Sequence, residues 1–302
     1  MPSLLEVNAG RRRLLGASSL VVAAGLGGCT VVGEEAFDGA DAPEQRATDR
    51  AYPVAWVLSS GGPRGFVHVG VLKALDELGC KPDLVVGSSV GALVGCLYAA
   101  GLGMPGIEAL AIETNVTNFI RPTLAGDEWL SVSGIGNTVN ALLEDQLLQQ
   151  LPTAFASVAI DKETRQPKAF NWGNAGAAVQ AACAIEGRVA SVRIRGRRYV
   201  DSDFVTPMPV RVARAMGAQR VLAVDASAHE DKAPAGTEGY RAGDLRKRAL
   251  TAPEARLADL TLHPEFGYFT SASRDYRLRS IRLGYEQTLA QAPALLALHR
   301  RS

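Results

Sequence analysis

From Val54 onward, short runs of β-branched and apolar residues alternate with longer runs in which apolar positions recur every three or four residues. Val54-Ala55-Trp56-Val57-Leu58 is apolar without a break, as a strand covered on both faces must be. Phe66, Val69, Leu72, Leu75 and Leu78 then follow at helical spacing, and Gly79 ends that helix. Asp83 to Val86 predicts the next strand and Val90 to Ala100 the next helix, stopped by Gly101. The result is two parallel strands joined by a helix. Farther along, the pattern predicts a strand over Phe155 to Ile160, a helix over Ala175 to Ile185, and two strands within Val192 to Val200 that turn at Gly196. A helix over Val210 to Met216 leads into a strand over Arg220 to Val224, and the remainder is mainly helical. Between Gly101 and Pro152 the pattern is mostly helical, with a turn-rich patch from Pro122 to Gly136, and this stretch is expected to lie over a site as a cap. With no internal repeat, the alternation predicts one α/β domain over residues 53–302.

Composition narrows the picture. A hydrophobic content of 47% over 302 residues suffices for a full core. The formal charge of +1, with no long basic run beyond the first 13 residues, leaves no electrostatic footprint for nucleic acid. The N-terminus reads as an export signal over residues 1–28: Arg11-Arg12-Arg13, an apolar stretch from Leu14 to Leu26, and a small-residue cleavage site in Leu26-Gly27-Gly28-Cys29. That last tetrapeptide resembles a bacterial lipobox, in which the cysteine is acylated and becomes the new N-terminus. Arg11 to Leu15 also resembles a twin-arginine export motif. Cleavage before Cys29 removes Glu6 and three arginines, turning the charge from +1 to −1. Residues 29–52, with Glu34, Glu35, Asp38, Asp41, Glu44 and Asp49, then read as a solvated tether from a lipid anchor. The expected location is the membrane surface of a bacterial cell envelope, on the outer membrane or the periplasmic face. Cys80, Cys96 and Cys183 are odd in number and irregularly spaced, which predicts buried thiols and no metal site.

Three segments carry candidate chemistry. Gly87-Ser88-Ser89-Val90-Gly91 is a G-x-S-x-G pentapeptide between a predicted strand and a predicted helix. In that context the two glycines permit a turn sharp enough to lift the Ser89 hydroxyl clear of the backbone, which makes Ser89 a candidate nucleophile. Upstream, Ser59-Ser60-Gly61-Gly62-Pro63-Arg64-Gly65 joins a strand to a helix and presents backbone N–H groups that suit a phosphate or an oxyanion. A dinucleotide fold is disfavoured, because Ser60 interrupts the G-x-G-x-x-G pattern and no suitable acidic residue ends the second strand. Downstream, Tyr199-Val200-Asp201-Ser202-Asp203 puts two carboxylates at a strand end, where turn formation alone also explains them.

Taken together and in order, Leu58 to Leu72, Gly87 to Leu93, Ala181 to Ile185 and Tyr199 to Asp201 resemble the patatin-like phospholipase family. The resemblance runs from about Val54 to Asp225 and more weakly to about Leu289. It implies a three-layer α/β/α fold with a mainly parallel central sheet. It also implies a serine-aspartate dyad that hydrolyses acyl esters of phospholipids or lysophospholipids with no catalytic histidine and no cofactor. By position, Ser89 is the nucleophile and Asp201 its partner. Gly61 and Gly62 contribute oxyanion-hole N–H groups, Arg64 and Gly65 shape that loop, and Gly87 and Gly91 form the nucleophile elbow. An aspartate in water has a pKa of about 3.9 and is a weak base, so the dyad requires a desolvated carboxylate or proton transfer in the transition state.

The chain departs from the family pattern at four places. Ser60 replaces the first glycine of the loop, Pro63 supplies no N–H, Ser202-Asp203 replaces the usual small pair after the dyad aspartate, and Glu186 stands where proline is common. These departures leave open a lipid-binding or scaffolding lipoprotein with impaired turnover. A second enzyme reading is a serine-acid-histidine triad, for which His229, His263 and His299 lie late enough. His229 in a polar loop, His263 before a proline and His299 in the basic tail are more simply surface or structural residues, and His68 on the first helix is expected to pack or hydrogen-bond.

Overall fold

The computed structural model describes residues 33, 35–124 and 127–300. The expected signal segment over residues 1–28 and Cys29 lie outside the described residues. In chain order the strands and helices are β1 (Ala36–Phe37), β2 (Tyr52–Leu58), α1 (Phe66–Glu77), β3 (Leu84–Ser88), α2 (Val90–Ala99), α3 (Met104–Glu113), β4 (Arg121–Pro122), β5 (Leu130–Ser131), α4 (Ser133–Leu142), β6 (Ala154–Asp161) and β7 (Pro167–Phe170). Then come α5 (Ala175–Ala182), β8 (Val192–Ile194), β9 (Arg197–Asp201), α6 (Val210–Ala215), β10 (Ala218–Val224), α7 (Glu238–Ala255), β11 (Leu260–Leu262), α8 (Arg274–Leu289) and α9 (Ala292–His299). Among the described residues the main sheet runs β1-β8-β9-β6-β3-β2-β10-β11, with β7 also paired to β6. The pairs β3–β6, β2–β3, β10–β2 and β10–β11 are parallel, whereas β6–β7, β6–β9 and β8–β9 are antiparallel. A small antiparallel hairpin of β4 and β5 stands apart.

The central strands are apolar without a break because both faces are covered. Val54, Trp56 and Leu58 point into one cluster with side chains of α1, α2 and α5, while Ala55 and Val57 point into another with Met208 and with Val210 and Ala213 of α6. The same alternation divides Val85 from Leu84 and Val86, and Leu222 and Val224 from Val221 and Ala223. A strand with period 2 and no polar face has to lie between two helical layers. The outcome is the three-layer α/β/α architecture.

The structure differs from the sequence expectation in three regions. The acidic stretch expected as a free tether over residues 29–52 lies along the domain from residue 35. Ala36–Phe37 pairs with β8, the Gly196 N–H donates to Asp38, and Glu44 bridges to Trp172. Its acids meet the arginines of the β8–β9 hairpin, Asp38 opposite Arg193 and Glu44 opposite Arg195, so the charge that predicted solvation is locally complemented. The expected cap is largely part of the helical layer: α3 lies beside α1 and α8, and α4 beside α2 and α5. The strands β7 and β11 were not predicted at all. Each is short and takes its place from a longer neighbour, β6 or β10.

Candidate active site

A sharp reversal between β3 and α2 turns one hydroxyl out of the backbone's path, although Ser89 itself is buried. Ser89 sits at φ 53° and ψ −126°, a conformation that an L-residue holds only when its surroundings force it. Both flanking glycines are required by contact: a Cβ at Gly87 would lie 2.4 Å from the Cα of Ala92, and one at Gly91 would lie 2.3 Å from the carbonyl oxygen of Leu58. The backbone therefore turns where no side chain fits, and Ser89 projects from the N-terminal end of α2.

Its hydroxyl donates to Oδ2 of Asp201 at 2.6 Å, across 112 residues of sequence. Asp201 ends β9, which is placed by pairing with β6, the neighbour of β3. The other oxygen of Asp201 accepts the N–H of Asp203 at 2.9 Å, and the Asp201 N–H donates to the carbonyl of Ala184 at 2.8 Å. The aspartate is 2% exposed. Burial raises its carboxyl to about 7, with the nearby Asp203 charge adding to the rise and the Ser89 hydroxyl, the Asp203 N–H and Lys247 opposing it. The Asp201 carboxyl is therefore desolvated, one of the two alternatives the sequence argument left open for such a pair.

The glycine loop packs directly on the elbow. Gly65 abuts Val90, such that a Cβ there would lie 2.2 Å from a Val90 methyl. Gly62 adopts φ +52° and opens a short 3-10 turn that runs into α1. Before the glycines, the Ser60 N–H donates to the carbonyl of Pro207 and the Ser59 hydroxyl accepts the N–H of Ala226. His68, neutral because burial lowers it to about 4, binds the Ser59 carbonyl through Nε2 at 2.8 Å. Arg64 donates through Nη2 to the carbonyl of Tyr268 at 2.5 Å. The loop is held at both ends, as preorganised N–H donors require.

Three of the four departures from the family pattern have specific partners. The Ser60 hydroxyl donates to Oδ1 of Asp203, and Lys247 of α7 binds the same oxygen. The Ser202 hydroxyl donates to the carbonyl of Val158 at 3.1 Å and accepts from Ser88 at 2.6 Å, which links the residue before Ser89 to the residue after Asp201. Glu186 pairs with Arg165 at 2.8 Å. None of these contacts uses the Ser89 hydroxyl or the Asp201 carboxylate. Sequence reasoning did not find Lys247, Tyr268 or Ser88. The signal available for Lys247 was Asp203 itself, since a second carboxylate beside a buried one calls for a cation.

The remaining candidates lie elsewhere. His229 stacks on His263, His263 binds the Ser227 carbonyl, and His299 binds the Trp56 indole N–H, so none of the three late histidines meets the Ser89–Asp201 pair. Cys80, Cys96 and Cys183 are free and buried, as expected. Burial pushes Cys96 up to about 12, and the Cys183 thiol, which faces Asp201, is also raised.

The pattern of the patatin-like phospholipases matches residues 56–214, and the chain belongs to that family. The chain is 31% identical over 183 residues to an uncharacterized NTE family protein of Mycobacterium tuberculosis, an alignment covering 59% of this chain and 50% of that protein. It is 27% identical over 186 residues to patatin-like phospholipase domain-containing protein 6 of Homo sapiens, covering 59% of this chain and 14% of that one. The chain therefore matches half or less of the length of these relatives. Among solved structures, VipD from Legionella pneumophila superimposes with a TM-score of 0.55 at 11% identity, covering 89% of this chain and 72% of that one, a likeness of fold.

Proposed function

We propose that this protein is a serine acyl hydrolase that cleaves ester bonds of phospholipids or lysophospholipids. The observation that carries the reading is the 2.6 Å hydrogen bond from Ser89 to a buried Asp201, set beside a fixed glycine loop in a chain of this family. Ser89 Oγ attacks the ester carbonyl carbon while its proton passes to Oδ2 of Asp201. The carbonyl oxygen takes the negative charge and is held by N–H groups of Gly61 and Gly62, each such donor contributing about 2.7–4 kcal/mol to the barrier reduction. Collapse breaks the bond to the alcohol, which leaves with the proton from Asp201. Water then attacks the acyl-enzyme, giving its proton to Asp201, and release of the fatty acid returns that proton to Ser89. A base near 7 suits both directions of transfer at neutral pH.

Placement at a membrane by acylation of Cys29 belongs to the same proposal. Among the described residues no helix is long and apolar enough to cross a bilayer. Labelling of the protein by a radioactive fatty acid, lost in Cys29→Ser, tests that part. The activity is tested by fatty acid release from phosphatidylcholine, phosphatidylglycerol, their lysophospholipids and a short-chain ester. Release from the lipids that disappears in Ser89→Ala is expected. Retention of lipid in vesicle pull-down with no release by either protein would favour the lipid-binding alternative.

A further inference from the structure

We infer that Lys247 is a positioning residue of the Ser89 site: through Asp203 it holds the Gly61-Gly62 loop and the Asp201 strand end together and supplies the countercharge that the two carboxylates lack. The inference rests on the Ser89–Asp201 reading for its consequence in turnover. Asp203 Oδ1 is a shared acceptor, taking the Ser60 hydroxyl on one side and Lys247 Nζ at 2.6 Å on the other. Ser60 is covalently next to Gly61, while the Asp203 N–H is bonded to Asp201. One residue therefore joins the glycine loop, through its carboxylate, to Asp201, through its backbone N–H, and one lysine fixes that carboxylate.

The lysine is placed by its helix. Asp244, Lys247, Thr251 and Glu254 recur at helical spacing along the inward stripe of α7, and Thr251 and Glu254 are buried. Asp244 accepts the hydroxyl of Tyr268, whose carbonyl holds Arg64. Successive turns of α7 thus reach the glycine loop at Ser60 through Asp203 and at Arg64 through Tyr268. The side chains of Lys247 and Asp203 are 19% and 29% exposed, so the pair is only partly screened by water.

Among the described residues the Asp201 carboxylate is hydrogen-bonded by the Ser89 hydroxyl from the elbow and interacts electrostatically with the Cys183 thiol after α5, Asp203 from its own turn and Lys247 from α7. Asp203 favours the protonated form of Asp201 and Lys247 the ionised form. Two carboxylates two residues apart therefore coexist with a working base only if the lysine neutralises the second. Ser60, Asp203 and Lys247 act as one unit, and the Ser60 and Asp203 departures from the family pattern explain each other.

The test uses the full chain and follows the Asp201 carboxyl directly by 13C NMR, assigned with Asp201→Asn, alongside the pH dependence of short-chain ester hydrolysis. Lys247→Met leaves Asp203 uncompensated and is expected to raise the Asp201 midpoint by about one pH unit and lower kcat at pH 7 about fivefold, with KM little changed. Lys247→Arg is expected to restore both. Asp203→Asn keeps an acceptor for Ser60 but removes the like charge, and is expected to move the midpoint the opposite way. Ser60→Gly keeps the charges and releases the loop, with lower kcat and no shift expected. Opposite shifts in Lys247→Met and Asp203→Asn support the inference. Unmoved midpoints in folded Lys247→Met, or in Asp203→Asn if the first variant does not fold, overturn it. Because the titration is read without turnover, a wild type that fails to hydrolyse esters counts against the dyad reading separately.

Discussion

At the scale of single residues, Asp201 combines a cost with a use. Its carboxyl stands at about 7 in the folded protein against an ordinary value of 3.8, because burial outweighs the hydrogen bonds it accepts. Between these two pH values the unfolded chain binds fewer protons than the native one, so this group lowers stability progressively as pH rises from about 4 to 7. Asp201→Asn removes that dependence. Urea denaturation at pH 4 and pH 8 is expected to show the variant gaining on wild type between the two, by up to roughly 4 kcal/mol for complete burial, while it loses activity. A constant difference would show that Asp201 ionises normally. Ser202 and Asp203 are a second residue-level case. Their side chains bind Val158, Ser88, Ser60 and Lys247, so returning both positions to glycine is expected to lower kcat several-fold rather than raise it. A large gain in turnover would mark them as impairing substitutions.

At the scale of elements, the loop, the elbow and the first helix behave as one packed unit. Gly65→Ala would drive a methyl to within 2.2 Å of Val90, the residue after the nucleophile, with no flexible side-chain end to give way. Loss of activity by more than tenfold is expected, with a lower midpoint in thermal unfolding; normal kinetics would show that the loop and elbow move independently. The strand-loop-helix around Gly61 and the strand-turn-helix around Ser89 were legible in the sequence because each is local, an apolar run, glycines and a helical period in one window. So was the hairpin at Gly196, where Arg195 and Gly196 both take positive φ. The alternation from strand to helix likewise gave an α/β domain, while the three layers were implied by the family resemblance. β1, β7 and β11 were not legible, because runs of two to four residues carry no periodicity of their own. The part of the site contributed by α7 was hidden for another reason: Lys247 meets Asp203 across 44 residues, and a basic run on a polar helix reads as a solvated face.

At the scale of the whole molecule, the segment before β2 stabilises the edge of the sheet that ends on the dyad. β1 pairs with β8, β8 with β9, and β9 carries Asp201. Glu35 binds Gln180 of α5 at 2.6 Å, and Glu44 and Asp38 meet arginines of the β8–β9 hairpin. A chain starting at residue 53 is therefore expected to unfold at lower urea concentration than one starting at residue 33, with a smaller m-value and reduced activity. Identical transitions would mean that the segment adds nothing to the domain. The central claim, a serine acyl hydrolase run by Ser89 and Asp201, is tested most directly by fatty acid release from phospholipid across pH 5 to 9, comparing wild type with Ser89→Ala. The account predicts release that rises with pH to half its maximum near 7, where Asp201 becomes a base, and none from the variant. Equal release by both proteins, or none by a folded wild type, would contradict it.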